Sequence, residues 1–512
     1  MCSKLERMMN RAIVSLFFLS LLIIFSDTGW SQTLTLQDAI DIALERSYDS
    51  KRLKLELLQA EENLVAAKGR FRTHVDMSLD VPRWQENVTE IMVPGQLPQF
   101  NTTGTLRYMG SLDITQPLPT DGRLVLSSRA YHREVSTYLT QANREQKRSE
   151  MYTNLTLRYT QPIFAINQLK LGLKNANLSY DRTEQRYKRS QLNVVYLVTQ
   201  YFFNLYQASR QEQITRDNVE QQTELYELAK KKFNAGLIPE VEALQMEVDL
   251  AEAQDELLSA QARTMRMGDA FKQLIGLQLS DSVAIKTDLE REKINVDLQA
   301  AIDKAVKYRT EIREAEIDLE LAKIAIKEAD ARSEIRGDLT VFYDLTGISN
   351  PNLPFGTPWD ELWNSSLDDM ERRPNNRGVI FTLSVPIWDW GVNNAEVAAA
   401  RASMKNDILA LEEQEKTIVR EVREVVRRLR EAENKLDVLT RNQAVAQRAF
   451  EISVERFNNG DITSQDLALD RNRFVQAKTL YLNAYIDFKL AIADLKRKTM
   501  YDWQHNVSLV DD

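Results

Sequence analysis

The sequence predicts a mainly helical protein with a small β part, built from two copies of one long-helix unit. The chain has 16 glycines and 12 prolines among 512 residues, less than half of the usual share of about 12%. So few turn residues exclude a β-sandwich or β-barrel as the main mass and favour long helices. Landmarks that recur at a fixed distance indicate the duplication, and short segments of alternating polarity indicate the strands.

The N-terminal segment has the order of a secretory signal. Basic residues precede an apolar run and small residues follow it, in the order Lys4, Arg7, Arg11, the run 12–25, Gly29 and Ser31. We expect residues 1–31 to be removed by cleavage after Ser31; a short membrane anchor is the alternative. The single cysteine, Cys2, lies in this segment, so the mature chain has no thiol for a disulfide or a metal site.

One constant offset in residue number relates two parts of the mature chain. Pro162 and Pro386 are separated by the same offset as Gly236 and Gly460, and each pair lies in a similar local sequence. Two landmarks that keep one offset, with no insertion between them, indicate two structural copies of one unit. The alternative is a chance similarity between amphipathic helices.

An earlier stretch repeats at a larger offset. The segment that starts at Leu36 parallels the segment that starts at Leu298. The offset therefore changes between about 73 and 154, which predicts a longer loop in the first copy. We predict these segments: a first repeat at 32–275, a linker at 276–297, a second repeat at 298–503 and a short tail at 504–512.

A seven-residue spacing of apolar residues predicts long helices that wind around their neighbours. The predicted helices are 35–72, 165–232 and 238–275 in the first copy, and a helix from 298, 393–457 and 463–500 in the second. At 1.5 Å per residue the helix 165–232 is on the order of 100 Å long. Gly236 and Gly460 lie where the chain must reverse, and glycine readily adopts the backbone angles that end a helix.

Four segments alternate between apolar and polar residues as strands do. They are about 74–82, 152–162, 338–346 and 378–386. An ordinary half-buried sheet is one explanation of this pattern. Tryptophans flank the strands, as aromatic residues do at the membrane boundaries of outer-membrane barrels, namely Trp84, Trp359, Trp363, Trp388 and Trp390. We assign Trp84, Trp388 and Trp390 to the membrane interface.

About four antiparallel strands per chain cannot close a transmembrane barrel, because the smallest bacterial barrels have about eight. An open sheet edge cannot lie in lipid, since its backbone amides have no partner there. Several copies of the chain must therefore share one barrel, with the helices forming an α-barrel below it. Residues 105–131 are expected to form an extra hairpin in the long first loop, outside the membrane; strands added to the sheet are the alternative.

Four local sequences resemble those of the TolC-like outer-membrane efflux protein family, the outer-membrane factors. They are the opening 34–44, Gln161-Pro162-Ile163-Phe164, and the Phe-Asn-x-Gly turns at 233–236 and 457–460. The resemblance covers nearly the whole mature chain. It implies a homotrimer in the outer membrane, with a shared 12-stranded barrel and a long periplasmic α-barrel. It also implies two partners, a periplasmic adaptor (membrane fusion) protein and an inner-membrane pump of the RND, ABC or MFS type.

The same resemblance implies roles for the two helix turns. In the family the turns at the periplasmic end contact the adaptor, and the matching positions are Gly236, Leu237, Ile238, Gly460, Asp461 and Ile462. Glycine is also simply a turn former, which is the alternative at two of these positions.

The family carries two aspartates, six and nine residues after the second tip glycine, which ring the closed entrance. Asp466 fills the first place, whereas Leu469 fills the second, with Asp470 one step beyond. Glu242 is the first-copy equivalent of Asp466. Carboxylates crowded in a narrow mouth attract cations and resist anions. The alternative is that these are charged residues on a solvated helix face.

Nothing in the sequence indicates an enzyme, a metal site or a cofactor. The three histidines, His74, His132 and His505, are far apart, and no phosphate loop or nucleophile elbow is present. The net charge of −9 disfavours nucleic-acid binding. The sequence therefore predicts a passive outer-membrane channel of a tripartite efflux system, gated at its periplasmic end by adaptor docking. A periplasmic coiled-coil adaptor or scaffold without a pore is the alternative.

Overall fold

The computed structural model describes residues 32–92, 95, 97–139, 144–286 and 294–510. The predicted signal peptide, residues 1–31, and part of the predicted linker at 276–297 lie outside these ranges. Within them the chain is mainly helical with a smaller β part, which confirms the predicted fold class.

The described ranges contain nine helices. In chain order they are α1 (Leu36–Arg46), α2 (Tyr48–Gly69), α3 (Gln168–Asn234), α4 (Glu240–Ile275), α5 (Leu298–Tyr308), α6 (Thr310–Asp330), α7 (Trp359–Arg372), α8 (Val392–Asn459) and α9 (Ser464–Thr499).

The helix bounds repeat with the two offsets found in the sequence. The starts of α3 and α8 differ by the offset of the proline and glycine landmarks, as do those of α4 and α9, while α1 and α5 keep the larger offset. One difference from the prediction is that the helix expected at 35–72 is divided at Ser47, and its second-copy equivalent is divided at Arg309. Both residues have extended backbone ψ angles, 149° and 122°, so each helix stops and a new one begins.

Ten strands lie in the described ranges. They are β1 (Gln32–Leu34), β2 (His74–Ile91), β3 (Gln99–Pro117), β4 (Arg123–Leu139), β5 (Arg144–Ile163), β6 (Val283–Ile285), β7 (Arg336–Ile348), β8 (Asn376–Ser384), β9 (Tyr501–Asp502) and β10 (Val507–Ser508). The main sheet is antiparallel and has the order β2-β3-β4-β5-β7-β8. β1 pairs with β6 in parallel, and β9 pairs with β10.

The main sheet corrects the expected count of about four strands. All four predicted strands lie in the sheet, as parts of β2, β5, β7 and β8, but β3 and β4 add two strands between β2 and β5. The sequence indicated a hairpin at 105–131 but not its place in the sheet, because alternation is clear only near the hairpin turn. The first half of β3 carries the run Asn101-Thr102-Thr103-Gly104-Thr105, in which apolar and polar residues do not alternate, so the strand period is not visible there.

The chain forms two compact units. The first consists of the stretches up to Leu55, Arg186–Ile312 and from Gln414 onward, and the second consists of Glu56–Gln185 and Arg313–Glu413. The main sheet belongs to the second unit, and the two helix turns near Gly236 and Gly460 belong to the first.

The core of the first unit is a seam between the long helices. Val198 and Phe202 of α3 and Ile418 and Val422 of α8 are almost completely buried there, together with Tyr485 of α9. Their spacing of three and four residues is the one that the sequence showed. This packing of one helical face, more than helical propensity, stabilises helices of this kind.

A buried ion-pair network holds the break between α5 and α6. The Arg309 side chain is 7% exposed and donates to Glu311 at 2.5 Å and to Glu421 of α8 at 2.6 Å. Glu421 also contacts Lys498 of α9 at 2.9 Å. Burial alone would raise the pKa of the Glu311 carboxyl, but the Arg309 guanidinium outweighs burial and lowers it.

Among the described residues, no helix combines the length and the apolar character needed to cross a bilayer.

The C-terminal segment predicts a pH dependence of stability. Burial alone would raise the pKa of Asp502, but bonds from His505 and the Gln504 amide and the charge of Lys496 lower it to about 2. A carboxyl whose pKa is lower in the folded state stabilises the fold above its unfolded pKa and loses this effect as pH falls toward the folded pKa. We expect the contribution, up to about 2 kcal/mol, to vanish between pH 4 and 2.

The measurement is a set of thermal melts of the detergent-solubilised protein from pH 7 to pH 2. Asp502→Asn should lower the melting temperature at pH 7 and have little effect at pH 2. Asp487→Asn is the control, because that carboxylate is about half exposed and pairs with Lys435 at 3.3 Å on the protein surface. Equal effects of both substitutions at pH 7 would contradict the assignment.

Candidate functional site

The turn between α3 and α4 is built as a helix C-terminus followed by a glycine in the left-handed region. Gly236 has φ +74°, and its N–H donates to the carbonyl of Phe233 at 2.8 Å. The N–H of Leu237 donates to the carbonyl of Lys232 at 2.9 Å. These two bonds satisfy carbonyls that the end of a helix leaves without partners, so glycine is required at this position.

The turn between α8 and α9 repeats this geometry. Gly460 has φ +84°, its N–H donates to the carbonyl of Phe457 at 3.1 Å, and the N–H of Asp461 donates to that of Arg456 at 2.9 Å. We call the two turns, residues 235–239 and 459–463, the first tip and the second tip.

A small apolar core supports both tips. Its buried members are Leu225, Ala229, Met246, Phe450, Phe457, Leu467 and Phe474. Ile238 and Ile462 pack against this core, whereas Leu237 is 73% exposed. Of the predicted adaptor-contact positions, the structure therefore places two isoleucines in the supporting core and leaves Leu237 and Asp461 free to meet a partner.

Lys232 ties the first tip to the second. Its Nζ donates to the carbonyls of Phe457 at 2.5 Å and Asn458 at 3.4 Å, and it lies 4.5 Å from the centre of the Phe457 ring. A cation at the C-terminal end of α8 is favoured by the helix dipole. The two tips thus form one bonded structure.

Asp466 caps helix α9. Its Oδ2 accepts from the backbone N–H of Thr463 at 3.3 Å and from the Thr463 hydroxyl at 2.8 Å, and its own N–H donates to that hydroxyl at 3.2 Å. This is a complete capping box. Glu242 occupies the same position in α4, where the N-cap residue is Pro239 and makes no side-chain cap bond.

The predicted entrance carboxylates have different surroundings. Asp466 and Glu242 line one open groove of about 460 Å³ between the tips, together with Asp461. Asp470 does not line that groove, because it accepts from Ser453 at 2.6 Å and from Arg473 at 3.1 Å. The structure brings two of the three predicted carboxylates together and gives the third a helix-to-helix contact.

A second acidic groove beside the tips escaped the sequence analysis. Asp249, Glu252 and Glu256 of α4 line it with Glu242, opposite the buried Arg471 of α9. Burial lowers the pKa of the Arg471 guanidinium, against the effect of these carboxylates. The three- and four-residue spacing of 249, 252 and 256 was the available signal, since it places them on one helical face.

The main sheet of the second unit has one apolar and one polar face. The apolar face carries, among others, Val75, Met77 and Leu79 of β2, Leu112 of β3, Leu126 of β4, Leu157 of β5, Val341 of β7 and Val379 of β8. All of these side chains are exposed in the single chain. The polar face carries Asp113, Ser127, Asn154, Thr156 and Asp344. Exposed apolar patches of this extent mark a membrane or protein contact.

Of the predicted interface tryptophans, Trp84 lies in the middle of β2, and the other two lie after the end of β8. Trp84 pairs in register with Leu106 and is exposed. Trp388 and Trp390 follow β8, are exposed, and meet edge to face with ring centres 5.5 Å apart. Trp359 of α7 instead packs on His132, with ring centres 4.7 Å apart.

Duplicated long helices joined to a sheet with an exposed apolar face are typical of outer-membrane channels with a helical extension. A family model described as "Outer membrane efflux protein" matches residues 39–277 and 301–497 of the chain. The chain belongs to this family of outer membrane efflux proteins, which confirms the resemblance seen in the sequence.

Solved structures show the same fold. The Campylobacter jejuni CmeC outer membrane channel is 15% identical, with a TM-score of 0.67, over 93% of this chain and 87% of that one. The outer membrane protein VceC from Vibrio cholerae is 14% identical, with a TM-score of 0.62, over 91% and 95%. The open-state MtrE outer membrane channel of Neisseria gonorrhoeae is 15% identical, with a TM-score of 0.62, over 91% and 89%. A search of curated proteins found no match.

The family is one of efflux proteins and not of enzymes. In the described ranges, no group of three or more histidine, cysteine, aspartate or glutamate side chains is arranged to hold a metal ion.

The capping role of Asp466 predicts a local effect of its removal. Asp466→Ala should destabilise the first turn of α9 by up to about 1 kcal/mol, because the N–H of Thr463 loses its acceptor. Hydrogen exchange of the amides in the first turn of α9 measures this loss. Glu242→Ala is the matched control, since Glu242 stands at the same position of α4 without a capping box. Similar acceleration in both variants would contradict a specific cap.

Proposed function

We propose that this protein is the outer-membrane channel of a tripartite efflux system, a homotrimer whose periplasmic entrance opens when an adaptor docks on the helix tips. The observation that carries the proposal is the main sheet, whose exposed apolar face and two unpaired edge strands suit a wall completed by other copies in lipid. An inner-membrane pump supplies the energy, and the channel itself is passive. The alternative, a periplasmic scaffold without a pore, does not explain why the sheet has an exposed apolar face.

The entrance is assigned to the tips because carboxylates gather there. Asp466 and Glu242 share one groove, and Glu242 also borders the second acidic groove. In a trimer each carboxylate occurs three times around the axis, which makes the mouth attractive to cations. Adaptor docking then opens the mouth by favouring an arrangement of the tip helices that a closed channel samples rarely.

Asp466→Asn tests this entrance in a way that Asp466→Ala does not. Asparagine keeps an oxygen that accepts from Thr463, so the cap remains while the charge is removed. We expect half-block by a trivalent cation to require at least about fivefold more cation, since even two unit charges 4 Å apart in a water-like medium interact by ~1 kcal/mol. Single-channel recording in planar bilayers measures this concentration.

The control for the recording is Asp487→Asn, which removes a carboxylate that lies on α9 far from the tips. Unchanged block in Asp466→Asn would contradict the entrance assignment while leaving the channel function in place. A purified protein that forms no channels, and that fractionates as a soluble monomer, would contradict the channel function itself.

Adaptor docking is assigned to the exposed part of the first tip. Leu237 contributes an exposed leucine at the end of a turn that Gly236 and Lys232 hold in place. Burying such a side chain in a partner contributes about 1.5–3 kcal/mol. The turn is therefore a fixed apolar contact point, and Asp461 is its charged counterpart on the second tip.

Leu237→Ser should weaken binding of the adaptor by about tenfold or more without altering the melting temperature of the channel. Surface plasmon resonance with the immobilised channel and the purified adaptor gives the affinity. Leu279→Ser is the control, because Leu279 is 62% exposed in the same unit but lies after α4, away from both tips. Equal affinity of the two variants would contradict docking at the first tip.

A further inference from the structure

The hairpin formed by β3 and β4 has no counterpart in the second copy of the repeat. In that copy β7 pairs directly with β8, with Arg336 opposite Ser384. The two offsets make His74 and Thr160 the equivalent first-copy residues. They are not opposite each other, because His74 pairs with Thr115 of β3 and Thr160 pairs with Arg123 of β4. The change of offset is thus caused by a hairpin that is inserted between β2 and β5, the first-copy equivalents of the neighbouring strands β7 and β8.

The inserted hairpin runs along the full length of the strand beside it. β4 pairs with β5 without interruption from Arg123 opposite Thr160 to Leu139 opposite Arg144. β3 pairs with β4 from Pro117 opposite Arg123 to Thr102 opposite Tyr138. β5 runs from Arg144 to Ile163 and leads to the start of α3, and in the proposed channel it crosses the membrane. Strands paired with it over this length must cross as well.

The turn of the hairpin is fixed at the helical end of β5. Both carboxylate oxygens of Asp121 accept backbone N–H groups of α3, from Gln168 at 3.0 Å and from Leu169 at 3.3 Å. Asn167 Nδ2 donates to the carbonyl of Pro119 at 2.8 Å, and Thr120 donates to Gln161 at 2.7 Å. The hairpin turn therefore caps the N-terminus of the long helix, at the end of the sheet where β5 leads into α3.

The apolar face of the sheet continues across the inserted strands. One row of register partners runs Val75, Ile114, Leu126, Leu157 and Tyr343, from β2 to β7. In the single chain Leu126 is 37% exposed and Leu157 is 44% exposed. An extracellular hairpin in water would have no reason to extend a lipid-facing row. The inserted strands carry the same surface as the strands that they separate.

The polar face continues across the inserted strands in the same way. Asp113 of β3 accepts from Ser127 of β4, and Asp344 of β7 accepts from Thr156 of β5 at 2.7 Å. Residues of β3, β4, β5 and β7 line one open groove of about 700 Å³ on this face, among them Arg123, Arg129, Arg158 and Asp344. The polar surface therefore extends over β3, β4, β5 and β7, and the apolar row extends from β2 to β7.

We propose that β3 and β4 belong to the membrane wall, so that each copy of this chain contributes six transmembrane strands. The inference rests on the proposed homotrimer, in which three copies then close a barrel of eighteen strands, not the twelve that the family resemblance implies. The closing contact joins β8 of one copy to β2 of the next. β2 and β8 are the first and last of six alternating strands, so they run in opposite directions and meet as an antiparallel pair.

The consequence is a wider outer pore. Barrel diameter grows roughly linearly with strand number, so eighteen strands give a diameter about 1.5 times that of twelve. An insertion of an even number of strands leaves the directions of all the remaining strands unchanged, so β8 and β2 can still pair in antiparallel. A single inserted strand would make β2 and β8 parallel and prevent that pairing.

Disulfide mapping distinguishes the two strand orders. In a Cys2→Ser background, the double variants Met77→Cys with Leu112→Cys and Leu126→Cys with Leu157→Cys place cysteines at direct register partners. Both should cross-link within one chain in outer membranes treated with a mild oxidant. Val341→Cys with Val379→Cys, also register partners, is the positive control in the second copy.

The decisive pair is Leu79→Cys with Leu155→Cys, the first-copy equivalent of that control. In a chain with four wall strands these cysteines are partners and cross-link. In the proposed wall three strand spacings, about 14 Å, separate β2 from β5, and no cross-link forms. Mass spectrometry of the linked peptides identifies each product, and cross-linking of this pair at the level of the control overturns the proposal.

Spin labels test the membrane position independently of strand order. Labels at Leu126→Cys and Leu157→Cys should be accessible to oxygen and protected from a water-soluble nickel complex, while Ser127→Cys should show the reverse. If nickel reaches a label at Leu126 as readily as one at Ser127 while Leu157 is protected, the hairpin lies outside the membrane. That result overturns the six-strand wall but leaves the proposed channel in place. Nickel access at both Leu126 and Leu157 overturns the proposed channel as well.

Discussion

The requirement that every backbone amide in lipid has a hydrogen-bond partner governs this structure. Among the described residues, the main sheet satisfies that requirement between its strands and ends at two edge strands, β2 and β8. Water satisfies the outward amide groups of an edge strand, whereas hydrocarbon does not. In the proposed channel, copies of the chain therefore complete the sheet by joining edge to edge. In that channel, oligomerisation is part of folding and not an event that follows it.

At the tips, one carboxylate both stabilises a helix end and contributes charge to the proposed entrance. Asp466 is the third residue of a capping box and also a carboxylate of the acidic groove. The cap fixes one oxygen on Thr463, which holds the carboxylate in place at the groove. The proposed gate role of this residue cannot be tested by Asp466→Ala alone, because alanine removes the helix cap and the charge together. Glu242, without a capping box, shows that the position does not require a cap in both copies.

The sequence predicted the helical part well because that part depends on local patterns and on a strict repeat. The turns at Gly236 and Gly460 follow from the need for a positive φ angle at a helix end, which few residue types satisfy. Other features depend on contacts between distant residues and had no such signal. The break at Arg309 depends on Glu421 of another helix, and the groove around Arg471 depends on how α9 packs beside α4.

The β part was predicted less completely than the helical part. Within the inserted hairpin, only the stretch near Leu112 and Leu126 alternates clearly. The remaining sequence signal for the hairpin is the change of offset, whose length matches two strands and a turn.

The place of the inserted hairpin in the chain explains why it leaves the helices unchanged. It leaves the sheet after β2 and returns to it at β5, so α2 and α3 keep their places in the repeat, and the starts of α3 and α8 still differ by the offset of the tip glycines. Its turn replaces solvent at the start of α3, where Asp121 accepts the amides of Gln168 and Leu169. The first four amides of a helix need such partners, and a carboxylate there is also favoured by the helix dipole. The hairpin that would widen the barrel wall thus also stabilises the N-terminus of α3. The added strands therefore do not destabilise the helical part of the chain.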